Sequence, residues 1–201
     1  MTRLLPGILA MAAIVVASNI LVQVLLGDWL TWGAFTYPIA FLVTDVTNRV
    51  HGARDARRVV AAGFVVGVIC SLIAAGFDKT TMRIAIASGT AFLTAQLLDV
   101  AVFDRLRAAR GWWQAPLGST LVGSAVDTLL FFTIAFAAFL PHDVNTGWAN
   151  EAVPLLGSGP VLPLWASLAF ADWMVKLALA LLSLVPFRLI VNHLLRGARQ
   201  I

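Results

Sequence analysis

The sequence predicts an all-α integral membrane protein of six transmembrane helices, and three observations predict it. The 201 residues are 60% hydrophobic and 12% charged, with a mean hydropathy of +0.90, whereas a soluble domain carries roughly 25% charged residues. The apolar residues gather into six runs, most of them long enough to cross a hydrocarbon layer of about 30 Å at about 1.5 Å per helical residue. The basic residues stand at the ends of those runs, so the formal charge of +4 reads as membrane topology and not as a nucleic-acid surface. No soluble domain is left over, and residues 1–201 read as a single transmembrane domain.

The first run, residues 6–26, follows Arg3 and imitates a signal peptide, but comparable runs follow it and it is read as a retained span. It contains Ser18, Asn19 and Gln23. Asn19 and Gln23 are four apart and share a helix face, which suits a polar interior or an interhelical amide contact. The linker 27–33 holds Trp29 and Trp32, side chains that favour the interface, and reads as a tight outer turn. Span two, residues 34–50, has Pro38 near its start, where a missing N–H costs least. It carries Asp45 and Asn48 and runs into a basic turn of Arg49, Arg54, Arg57 and Arg58. Span three, 57–76, has Gly63 and Gly67 at the spacing that lets two helices approach closely.

Span four, 82–103, closes with Gln96 and Asp99, and the basic segment 104–113 separates it from span five, 116–140. In span five Thr120, Ser124 and Asp127 follow at spacings of four and three, forming one polar stripe. Residues 141–160 are polar, rich in Pro, Gly and Asn, and free of Lys and Arg; they form the longest loop. Span six, 161–189, carries Asp172 and Lys176 four residues apart in its apolar length, and a basic tail after it reads as a short surface helix. Eleven of the fourteen Lys and Arg residues fall on one side of this arrangement, while Lys79 and Arg83 fall on the other and Lys176 lies within a span. That asymmetry predicts both termini on the cytoplasmic side.

Carboxylates in hydrocarbon face a cavity or a partner, which singles out Asp45, Asp99, Asp127 and Asp172. Asp45 and Asp99 lie in the cytoplasmic half, where pairing with Arg49 or a neighbouring arginine is the plain alternative. Asp172 and Lys176 have the favourable order for an ion pair on one helix face, either as structure or as the lining of a polar cavity. The same aspartates suit substrate binding or proton relay. Enzyme chemistry fares worse: His51, His142 and His193 fall in predicted loops or the tail, no P-loop occurs, and the lone Cys70 in an apolar run supplies neither a disulfide framework nor a thiolate metal site. No metal and no cofactor is implied.

Several segments together carry a family resemblance: SNILVQ at 18–23, TWGAFTYPIAFLVTDVTNRVHGARDARR at 31–58, QLLDVAVFDRLR at 96–107, WWQAPLGSTLVGSAVDTLLFFTIAF at 112–136 and DWMVK at 172–176. The chain resembles the bacterial queuosine precursor transporters, small six-helix inner-membrane proteins of the vitamin uptake type. The resemblance implies a single transporter domain taking up 7-cyano-7-deazaguanine, with the aminomethyl form as a second candidate, and no enzymatic activity. It also implies a fold like the substrate-binding subunits of energy-coupling-factor transporters, working without the ATPase module. The positions matching the family's polar residues are Asn19, Gln23, Asp45, Asn48, Arg49, Gln96, Asp99, Asp127, Asp172 and Lys176. A guanine-like ring offers adjacent N–H groups to a carboxylate and a carbonyl to Asn, Gln or Lys donors, and Trp173, Phe41 or Phe131 could stack on its faces. The partners so implied are the deazaguanine substrate and the lipid bilayer, with no nucleic acid; a homodimer is allowed. A substrate-binding subunit needing a separate ATPase, and a non-transport membrane assembly protein, are the alternatives.

Overall fold

The computed structural model describes residues 2–140 and 144–197, so His142 and Arg199 lie outside the described residues. Among the described residues seven α-helices run in chain order: α1 Leu5–Leu21, α2 Gly33–Thr36, α3 Ile39–His51, α4 Ala53–Gly76, α5 Met82–Leu106, α6 Gln114–Phe136 and α7 Leu164–Gly197. Helices α4, α5, α6 and α7 are long and apolar enough to cross a membrane, and α1 is a shorter apolar helix of 17 residues. Large apolar side chains such as Leu9, Ile20, Leu72, Leu129 and Leu182 stand exposed on the helices, the reverse of a water-soluble surface and what lipid contact requires.

Several boundaries differ from the sequence reading. Helix α1 ends at Leu21, before the apolar run does; the chain then turns, and strands β1 Leu25–Leu26 and β2 Leu30–Thr31 pair as a small antiparallel hairpin. Gln23 is therefore exposed beyond the helix instead of lying in a span. Span two is divided, because Tyr37 and Pro38 separate the short α2 from α3. The basic turn is helical on both sides of one residue: Gly52, at φ +90° and ψ 167°, ends α3 and starts α4. That backbone region is essentially restricted to glycine. The tail as far as Gly197 continues α7 and is not a separate surface helix. The long loop between α6 and α7 has a 3-10 helix at Val144–Asn150 and an antiparallel pair of β3 Ala152–Pro154 with β4 Val161–Pro163. Asn150 Nδ2 donates to the Phe136 carbonyl at 2.9 Å, fastening this loop to the end of α6.

Arginines join helix ends to one another. Arg107 Nη2 donates to the carbonyls of Asn48 and Arg49 at 3.1 and 3.0 Å, while Arg49 Nη1 donates to the Arg107 carbonyl at 3.1 Å. At the opposite end Arg83 donates to the Ile134 and Ala137 carbonyls, both at 2.7 Å. Each guanidinium thus adds a donor to carbonyls where a helix terminates, of which Asn48 and Ala137 also accept the N–H of Gly52 and Leu140. Met11 and Val15 of α1 sit against Gly63 and Gly67 of α4, so the close-approach spacing read from the sequence is the α1–α4 contact. Apolar clusters around Phe132 and Phe136 at one end, and around Phe103 and Phe187 at the other, bracket a polar seam shared by α3, α5, α6 and α7.

Candidate functional site

The seam has two centres. In the first, α7 supplies Lys176 and Asp172 on one face, because residues four apart on a helix lie one above the other, and α6 supplies Asp127 and Thr128. Lys176 Nζ donates to Asp127 Oδ2 at 2.7 Å and to Thr128 Oγ1 at 2.9 Å, and it also pairs with Asp172 Oδ2. The Thr128 hydroxyl lies 2.9 Å from Asp172 Oδ2. Lys176 and Asp127 are almost wholly buried, with side chains 5% and 4% exposed. The Tyr37 ring, at the break between α2 and α3, stands 5.8 Å from Nζ. Two carboxylates thus share one ammonium.

The second centre lies toward the arginine-rich end. Along α6, Thr120 precedes Asp127 by seven residues, about 10 Å of helix rise. Ser119 Oγ donates to Asp45 Oδ1 at 3.0 Å and Thr120 Oγ1 to Asp45 Oδ2 at 3.3 Å. Arg49 is not the partner of Asp45, contrary to the plain alternative, since its guanidinium reaches the Arg107 carbonyl. Asp99 of α5 is fully buried, and neither of its carboxylate oxygens has a hydrogen-bond partner. Gln96 Oε1 accepts from Thr44 Oγ1 at 2.6 Å, and Asn48 Nδ2 donates to the Val100 carbonyl at 3.1 Å. Both amides bridge α3 and α5, yet Gln96 Nε2 and Asn48 Oδ1 are buried without partners. Helices α5 and α6 approach closely here: a Cβ on Gly123 would stand 2.8 Å from a Phe41 ring carbon and 3.2 Å from Asp99 Cβ.

Of the candidate positions, Asp127, Asp172 and Lys176 come together in one centre, and Asp45, Asn48, Gln96 and Asp99 gather in the other. The buried Trp173 Nε1 has no partner. Asn19 and Gln23 join neither centre: Asn19 Nδ2 bonds back to the Val15 carbonyl at 2.9 Å, and Gln23 Nε2 to the Asn19 carbonyl at 3.3 Å. Asn19 does line a cleft of about 20 Å³ with Tyr37, Ser71 and Ser88 and the rings of Phe64 and Phe92. That volume accommodates a water molecule but not a bicyclic ring. Tyr37 belongs both to this cleft and to the Lys176 centre, and sequence reasoning missed it, as it missed Ser119 and Thr128. The signal for Ser119 and Thr128 was their position beside the Thr120 and Asp127 stripe; Tyr37 carried none beyond its place before Pro38.

Comparison with known proteins gives these centres a context. A family model described as "Putative vitamin uptake transporter" matches residues 31–191. A protein of Escherichia coli named "Queuosine precursor transporter" is 34% identical over 91% of this chain and 84% of its own length. Proteins of Haemophilus influenzae and Bacillus subtilis, both named "Probable queuosine precursor transporter", are 36% identical over 85% of this chain and 72% of their counterpart, and 27% identical over 80% and 71%, respectively. No solved structure matches the chain. The matched span contains both polar centres, and the relatives are transporters, not enzymes. On that similarity this chain belongs to the bacterial queuosine precursor transporter family, of the vitamin uptake type.

Proposed function

We propose that this protein takes up 7-cyano-7-deazaguanine across the inner membrane, through six crossings formed by α1, the α2–α3 pair, α4, α5, α6 and α7, with both termini in the cytoplasm. The observation that carries the reading is the Lys176 centre: a buried ammonium shared by Asp127 and Asp172, next to a cleft through Tyr37, in a chain similar to queuosine precursor transporters. A structural ion pair needs one carboxylate per ammonium, and the surplus acceptor suits the adjacent N–H groups of a deazaguanine ring. Asp172 is the more accessible of the two, with a side chain 16% exposed. Lys176 holds both carboxylates in place, and the Trp173 N–H is a donor free for a ring acceptor. The ring enters only when α1 and α4 part, since the cleft as it stands has room for no more than a water.

The test is uptake of radiolabelled 7-cyano-7-deazaguanine and its aminomethyl relative into cells unable to synthesise them, with and without this gene. Gene-dependent accumulation of the cyano compound, competed by the unlabelled form, is the expected result. Equal accumulation in both strains, with the protein present in the membrane, overturns the reading.

A further inference from the structure

The two centres are built on opposite principles. Around Lys176 every carboxylate meets a cation. Around Asp45 and Asp99 no cation stands among the described residues: Asp45 accepts from two hydroxyls, and neither Asp99 oxygen has a hydrogen-bond partner. The surrounding charges are committed elsewhere. From α3 and α5, Arg49 and Arg107 hold helix-end carbonyls, and Asp104 is 3.5 Å from Arg107. From α4, Asp55 pairs with Arg58 at 2.7 Å. From α6 and α7, Asp127, Asp172 and Lys176 hold one another, and Arg188 stacks over Trp112 at 4.7 Å. Helix α1 contains no charged residue.

Asp45 and Asp99 nevertheless meet the same stretch of α6: Ser119 and Thr120 hold Asp45, and a Cβ on Gly123, one turn after Ser119, would stand 3.2 Å from Asp99 Cβ. Two ionised carboxylates are acceptors only and cannot bond to one another, and two uncompensated charges at this depth are prohibitively costly. One proton between them removes both difficulties, supplying the donor that Asp99 lacks and halving the charge. The flanking amides give independent support. Gln96 Nε2 and Asn48 Oδ1 are buried and unpartnered on side chains that bridge the helices carrying the two carboxylates, so the centre has hydrogen-bonding capacity that its present packing leaves unused.

From this juxtaposition we infer that Asp45 and Asp99 form the coupling site of the transporter, binding one proton that crosses the membrane with each substrate molecule. The inference rests on the transport reading and adds its energy source. The proton is taken from the outer side, held between the two carboxylates with Ser119 and Thr120 orienting Asp45, and released to the cytoplasm when the helices rearrange. One O–H bond forms on a carboxylate as outer hydronium gives up its proton and breaks as that proton passes to cytoplasmic water, so one positive charge moves inward per neutral ring.

The test uses the purified full chain in proteoliposomes, tritiated 7-cyano-7-deazaguanine and a membrane potential clamped at zero. With the outer medium two pH units more acidic than the lumen, one proton per molecule sets a limiting accumulation of about 100-fold, and adding substrate alkalinises the outer medium. Asp99→Asn is expected to exchange labelled for unlabelled substrate across the membrane but to lose both accumulation and alkalinisation. Asp45→Asn is the second variant should Asp99→Asn fail to fold. Wild-type uptake that ignores the proton gradient, or that follows a sodium gradient instead, overturns the coupling while leaving transport intact. Gradient-driven accumulation retained in both folded variants overturns the assignment to these residues. No wild-type transport under any gradient refutes the transport reading, and the coupling falls with it.

Discussion

Replacing Lys176 with methionine removes the cation shared by Asp127 and Asp172 while keeping an unbranched chain to refill most of the stem's volume. In the native protein the ammonium contacts Asp127 at 2.7 Å, Thr128 at 2.9 Å and Asp172, and its side chain is 5% exposed. Breaking a buried ion pair from one side costs about 3–5 kcal/mol, because the remaining charge stays buried. Folded domains have a total stability of about 5–15 kcal/mol, so Lys176→Met leaves a folded but weakened protein. At about 2–4 °C per kcal/mol for a chain of this size, the midpoint of thermal unfolding in detergent falls by about 6–20 °C. Charge arithmetic supplies the control. The native cluster carries one net negative charge, Lys176→Met leaves two, and Asp127→Asn combined with Lys176→Met returns to one. The double variant is therefore less destabilised than the sum of its singles, with a coupling of about 1–3 kcal/mol. A Lys176→Met midpoint within a degree of wild type, or strict additivity in the double variant, refutes the reasoning.

Asp172→Asn leaves the Asp127–Lys176 pair intact but offers donors where the ring needs an acceptor pair; at about 1.5–3 kcal/mol for a charge-assisted bond, affinity for 7-cyano-7-deazaguanine falls about 10- to 150-fold. Equilibrium binding to the purified variant measures this, and wild-type affinity in a folded Asp172→Asn protein removes Asp172 from the ligand site. Gly52→Ala forces a Cβ onto a residue at φ +90°, costing about 1–3 kcal/mol in strain and a midpoint lower by about 2–12 °C; an unchanged midpoint means that the α3–α4 corner adopts another backbone. For topology, Cys70→Ser combined with either Arg110→Cys or Ser158→Cys is labelled in intact cells by an impermeant thiol reagent. Only Ser158→Cys reacts from outside, and labelling of both contradicts the six-crossing arrangement.

The features legible in the sequence were those governed by local spacing and composition. Hydropathy marked out α4, α5, α6 and α7 to within a few residues, apart from the early start of α4 at Ala53 and the late end of α7 at Gly197. The four-residue interval of Asp172 and Lys176 implied their ion pair, the spacing of Thr120, Ser124 and Asp127 implied one inward face, and Gly63 with Gly67 implied a close helix contact, because helical periodicity alone decides which residues share a face. What periodicity leaves open is how each helix is rotated and shifted in depth against its neighbours. Those offsets come from packing between residues far apart in the chain. Only the tertiary structure, therefore, brought Asp127 to Lys176 across 49 positions, gave Asp45 its hydroxyl donors from α6, turned Arg49 and Arg107 onto helix-end carbonyls and set Tyr37 beside the ammonium. It also ended α1 at Leu21 within an apolar run, leaving Gln23 outside the helix, because a helix end is decided by the partners its last carbonyls find.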